Sequence, residues 1–89
     1  MRKVRIKPFD FIERMTVRMG NTYLSHDTEA VFRQDMKKYC NGTFYVKTER
    51  ESYKGTVCEL DGIEDFSWDN NWLYDLQYKV EWEDKLFEV

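Results

Sequence analysis

Proline is nearly missing from this 89-residue chain; Pro8 is the only one. Glycine is scarce too, at four residues. Proline- or glycine-rich linkers and low-complexity arrays are therefore excluded. Two cysteines, Cys40 and Cys58, and a single histidine, His26, are too few for the usual structural zinc sets. No stretch approaches the roughly 18 apolar residues of a membrane-spanning helix. The N-terminal run MRKVRIKPF lacks the apolar segment of a secretory signal. A cytoplasmic location is expected, with both thiols reduced and packed as small side chains. A glycine-rich phosphate loop and a dinucleotide fingerprint are both missing.

What the chain does have is aromatic side chains. Three Trp, six Tyr and six Phe make up 17% of the residues. They can fill a small core with few positions, and a chain this short needs that to offset its conformational entropy. One domain over residues 1–89 is expected. The formal net charge is −3, but it is unevenly spread. Met1–Gly42 carries nine Lys/Arg against five Asp/Glu, whereas Thr43–Val89 carries five against twelve. A surface with one basic and one acidic side follows.

Periodicity predicts mostly short strands. Val4 and Ile6 alternate with Lys3, Arg5 and Lys7, the pattern of a half-buried strand. Pro8 ends it and can open a short helix through Phe11, Ile12 and Met15. Thr16–Met19 is ambiguous, and Gly20-Asn21 reads as a turn. Ser25 and Asp27 look like caps for a pattern in which Phe32, Met36 and Tyr39/Cys40 share a face, so a short helix is expected in its second half, stopped at Asn41-Gly42. Thr43–Lys47 and Tyr53–Leu60 read as strands around a polar loop at Thr48–Ser52. Asp61-Gly62 signals a hairpin turn, Ile63–Trp68 a third strand, and Asp69-Asn70-Asn71 a tight helical turn capped by Asp69. Leu76, Tyr78, Val80 and Trp82 alternate with polar residues as a further strand, and Leu86–Val89 pairs back. Residues 75–89 are thus expected to form a C-terminal hairpin extension. The expected fold class is mainly β, at the margin of α+β.

The element Asp35-Met36-Lys37-Lys38-Tyr39-Cys40-Asn41-Gly42, the basic strand Met1–Pro8 and the ending Trp68-Asp69-Asn70-Asn71-Trp72-Leu73 resemble a group of small phage and prophage proteins. These are similar in turn to SH3-like barrels of the Mind bomb/HERC2 repeat type. The resemblance covers Met1–Phe9 and Phe32–Tyr74. It implies an SH3-like, partly open barrel of five to six strands with one or two short helices, in a bacterial host cell. Its motifs are structural, and it implies no activity.

The densest mixture of aromatics and carboxylates is Ile63–Leu73. Trp68 and Trp72 either anchor a partner or plug the barrel end, and Trp82 reads as core-facing. The carboxylates Glu59, Asp61, Glu64, Asp65, Asp69 and Asp75 form either a solvated face or a surface that mimics phosphate charge toward a basic protein. They lack the spacing of a calcium loop and a partner base for catalysis. Ser25, His26 and Asp27 are adjacent in sequence, which is not the folded geometry a triad needs. No enzymatic activity and no cofactor are expected.

The leading expectation is a non-enzymatic interaction protein that binds, and inhibits, a host or phage protein such as a defence nuclease or a transcription component. Its partner-binding residues would be Asp65, Trp68, Asp69, Trp72, Asp75 and Trp82. The alternative is a small nucleic-acid-binding accessory protein that uses the basic strand of Arg2, Lys3, Arg5 and Lys7, aided by Arg14, Arg18 and a stacking Phe9. A small-molecule sponge with an aromatic pocket at a subunit interface is a third reading. Oligomeric state is open at this level.

Overall fold

The computed structural model describes residues 2–76. The expected strands at Leu76–Trp82 and Leu86–Val89, and with them Trp82, lie outside that range apart from Leu76. The elements run in chain order as β1 (Lys3–Ile6), α1 (Phe9–Arg14), β2 (Thr16–Met19), β3 (Thr22–Ser25), β4 (Val31–Arg33), a 3-10 helix (Gln34–Tyr39), β5 (Thr43–Ser52), β6 (Gly55–Leu60), β7 (Ser67–Asp69), a 3-10 turn (Asn70–Trp72) and β8 (Leu73–Asp75). The domain is mainly β. Its eight described strands form a five-stranded antiparallel sheet in the order β7-β6-β5-β1-β8 and a three-stranded antiparallel sheet in the order β2-β3-β4. Among the described residues these sheets do not close into a barrel.

β1 forms because its side chains alternate. Val4 and Ile6 are buried while Lys3 and Arg5 face water. Its pairing continues past its ends: the Ile6 amide donates to the Gly42 carbonyl at 2.9 Å, and the Lys7 amide to the Trp72 carbonyl at 2.8 Å. Pro8 precedes α1, as its missing N–H favours. Only Ile12 of that helix is buried, and Phe11 is exposed.

Three expectations need correction. The cap-like Ser25 and Asp27 do not begin a helix. Ser25 Oγ accepts the Asp27 and Thr28 amides, each at 3.1 Å, and closes a side-chain turn between β3 and β4. Phe32 then lies in a strand, and helical geometry starts only at Gln34. The stop is as expected, with Asn41 left-handed at φ 68°. Gly42 serves by close approach instead, since a Cβ there would meet the Tyr39 carbonyl at 2.9 Å. Thr48–Ser52, expected as a loop, continues β5 past a register irregularity between Val46 and Thr48. Ile63–Trp68 contributes only its end to a strand, Ser67–Asp69.

The core lies between the sheets and is aromatic. Phe32 of β4 meets Phe9, Tyr23, Trp68 and Trp72 with ring centroids 5.6, 6.3, 5.9 and 5.7 Å apart. A second row runs from Trp68 through Phe66 and Tyr39 to Phe44. Such ring pairs, most of them edge-on and two tilted, are each worth about 0.5–1.5 kcal/mol beyond the area they bury.

Candidate functional site

The acidic-aromatic segment does not present its tryptophans. Trp68 is 0% exposed and Trp72 1%, so both rings fill the core. The carboxylate of Asp69 is 2% exposed and serves as a staple. Its Oδ1 accepts the Asn71 amide at 2.8 Å, the cap expected of it. Its Oδ2 accepts the Thr28 hydroxyl at 3.0 Å and the Ser25 hydroxyl, which tie the β3–β4 turn to β7. Of the expected partner-binding residues described here, only Asp65 and Asp75 are exposed. Asp65 opens on a cleft of about 290 Å³ that also holds Arg33, Arg50, Glu29, Met36 and Phe66. The guanidinium of Arg33 sits over the Phe66 ring at 5.0 Å, and Arg50 pairs with Glu29. Acidic charge is neutralised elsewhere too. Lys47 lies 3.6 Å from Glu64, and Arg2 lies 2.9 Å from Glu49. The carboxyl of Glu64 is held below the usual carboxylate range, chiefly by the Gly62 amide that donates to it. The acidic half of the sequence is therefore not one continuous acidic face.

The basic strand gives a different result. Alternation along β1 sends Lys3 and Arg5 outward and Arg2, Val4 and Ile6 to the opposite side. Arg2 accordingly turns away from its basic neighbours. Its guanidinium donates to Asn70 Oδ1 at 2.5 Å and lies 3.6 Å from Cys58 Sγ, clamping the start of β1 to the Asn70–Trp72 turn. Its inclusion in the basic surface is corrected on this geometry. Phe9, expected to stack on a ligand, packs edge-on against Tyr23 at 5.2 Å and lies under the Lys37 ammonium at 4.2 Å. Arg18 belongs to the other sheet, where it lies 6.0 Å over Tyr23.

The outer face of the large sheet takes shape from the register. Lys3 stands opposite Tyr45 of β5, and Arg5 opposite both Thr43 of β5 and Tyr74 of β8. Opposed residues share a face, so Lys3, Arg5, Thr43, Tyr45 and Tyr74 form one surface. Tyr45 is 46% exposed and Tyr74 41%. Two strand spacings and a two-residue offset put their Cα atoms about 12 Å apart, on either side of the basic strand. Lys7 extends the face, with its ammonium 5.2 Å from the Tyr74 ring centroid. Among the described residues neither Lys3 nor Arg5 has an ion-pair partner. Sequence reasoning found the cations and missed the two tyrosines. The alternation Phe44, Tyr45, Val46 carried the signal, since Tyr45 is the outward position between two inward ones.

Other chemistry is sparse. Cys40 and Cys58 are free thiols, and burial raises the pKa of each. Among the described residues no group of three or more His, Cys, Asp or Glu could hold a metal ion, and no helix is long and apolar enough to cross a membrane. An antiparallel sheet face with cations on one strand and an exposed aromatic ring on each neighbouring strand can hold an anionic chain that carries planar groups. Compared with known proteins, the chain matches no family model, no curated protein and no solved structure.

Proposed function

We propose that this protein is a small accessory protein that binds single-stranded nucleic acid on the outer face of its large sheet. The observation that carries the reading is the register that sets Lys3 and Arg5 between Tyr45 and Tyr74. Phosphates need cations, and unpaired bases need rings to stack on. A duplex is read by an element that enters a groove, whereas Lys3, Arg5, Thr43, Tyr45 and Tyr74 all belong to paired strands of the sheet. Lys3, Arg5 and Lys7 hold the backbone, while Tyr45 and Tyr74 each take a base. The leading expectation from the sequence is the other reading, an interaction protein docking on a basic protein surface. It keeps Asp65 and Asp75 at the surface, but no tryptophan among the described residues is exposed to anchor it, so it ranks second. We further propose that the two sheets, which approach one another at β4 and β7, are the walls of an SH3-like, partly open barrel. The resemblance to phage and prophage proteins supports that fold and a role in the bacterial cytoplasm.

Fluorescence anisotropy with short labelled DNA and RNA strands tests the nucleic-acid reading. Three phosphate contacts predict a slope of about −2 in log affinity against log salt. Lys3→Ala with Arg5→Ala should abolish most binding. Tyr45→Ala or Tyr74→Ala should cost about 1–3 kcal/mol each. Binding that ignores both salt and these substitutions would reject the reading.

A further inference from the structure

Where the two sheets meet, backbone groups are left unpaired on both sides. β4 is an edge of the small sheet and β7 an edge of the large one. Among the described residues no backbone hydrogen bond joins them. Bonds elsewhere fix which way their peptide groups point. The Ala30 carbonyl accepts the Ser25 amide at 3.3 Å, so Ala30 and Phe32 bond toward β3, while Val31 and Arg33 turn their peptide groups to the free side. The Arg33 amide is taken by Met36 Sδ at 3.2 Å. β4 therefore offers the Val31 N–H and the carbonyls of Val31 and Arg33. Across from it, the Asp61 amide donates to the Tyr45 carbonyl at 2.8 Å, so Glu59 and Val57 also bond toward β5 and Cys58 bonds toward Trp68 of β7. Ser67 is then turned to the free side of β7. The cleft of about 290 Å³ lies here, lined by residues of β4 and by Asp65, Phe66 and Ser67. Unpaired donors and acceptors along a strand edge are a template for another strand. The side chains around the cleft select among such strands. Met36 and Phe66 supply apolar lining. Of the charged lining residues, Arg50 pairs with Glu29, and Arg33 lies 3.6 Å from Asp35. Asp65 is exposed and has no ion-pair partner among the described residues, so one negative charge is left over.

We propose that an extended peptide docks in this cleft by adding a strand to the free edge of β4. Its backbone accepts from the Val31 N–H and donates to the carbonyls of Val31 and Arg33. An apolar side chain of the peptide rests against Met36 and Phe66, and a Lys or Arg side chain reaches Asp65. The main-chain bonds supply affinity, and these two side chains supply selectivity. None of Lys3, Arg5, Lys7, Tyr45 and Tyr74 lines the cleft, so the site is separate from the nucleic-acid face and does not depend on that reading.

The test uses the full chain. Random peptides of strand length, about six residues, are displayed and selected for binding to it. Selected peptides should alternate apolar with polar residues and carry a Lys or Arg. Added as free synthetic peptides to the isotope-labelled protein, they should move the amide NMR signals of Val31, Arg33 and Ser67 and slow hydrogen exchange at the Val31 N–H. Asp65→Asn, at an exposed position, should weaken binding about two- to fivefold. Lys3→Ala with Arg5→Ala should leave it unchanged, which separates this site from the nucleic-acid face. A selection that enriches no peptide overturns the proposal. So do selected peptides rich in carboxylates, or signals that move at the edge strand β2 around Arg18 instead. Unslowed exchange at Val31 with peptide bound overturns the strand addition. Val31 signals that shift with protein concentration before any peptide is added assign the edge to a second copy of the chain and overturn the peptide as its occupant.

Discussion

Asp69 shows how one side chain can be legible in part. Its role as cap of the Asn70–Trp72 turn follows from the local run Asp69-Asn70-Asn71, and the Asn71 amide donates to it as that run predicts. Its bonds to the hydroxyls of Ser25 and Thr28 span 44 and 41 residues of sequence, and no local pattern announces such a pairing. Asp69→Ala would leave two hydroxyls and an amide without their acceptor, so it should cost about 3 kcal/mol of stability in urea unfolding. The neighbouring thiol gives a pH prediction. Burial raises the pKa of Cys58 above the ordinary thiol value of 9.0. The folded state therefore keeps its proton when the unfolded state has lost it. Stability from this group is complete below pH 9.0 and declines as pH rises above that value. Unfolding followed at increasing alkaline pH should show this decline, and Cys58→Ala should reduce it.

At the scale of elements, legibility follows burial. β1 and the first half of β5 alternate between core and water, and their sequences alternate with them. The second half of β5, from Thr48 to Ser52, is exposed except at Ser52 and carries no hydrophobic period. It is a strand because β6 pairs with it, and cross-strand pairing leaves no mark in a single polar run. The spacing of Phe32 to Met36 fits a helical face. The structure uses Phe32 instead to join β4 to Trp68 and Trp72 of the other sheet. The turn of the β5–β6 hairpin carries a testable misfit. Tyr53 sits at its first central position with φ 51°, and it is 86% exposed. A bulky residue in the left-handed region costs about 1–2 kcal/mol, whereas asparagine tolerates it. Tyr53→Asn should therefore raise stability by about 1 kcal/mol, a gain of roughly 4–8 °C in Tm for a domain of this size. An unchanged Tm would mean that the exposed ring contributes as much as its backbone costs.

For the whole molecule, the charge asymmetry of the sequence is real, but it does not translate into one acidic and one basic side. Folding pairs Glu49 with Arg2, Glu64 with Lys47 and Glu29 with Arg50, and it buries Asp69. What remains is a local basic surface on a protein of net charge −3. Binding there depends on short-range phosphate contacts, because the overall field repels a polyanion. The basic strand was visible from its alternation. The tyrosines that flank it were not, because they come from strands 42 and 71 residues along the chain from Lys3 in sequence, and only the sheet order brings them together. The measurement that tests this most directly is a titration of the isotope-labelled full chain with a short single strand, followed by amide NMR. Shifts that gather on Lys3, Arg5, Thr43, Tyr45 and Tyr74 are the predicted result. Shifts confined to the cleft around Asp65 and Phe66, or none at all, would contradict the account.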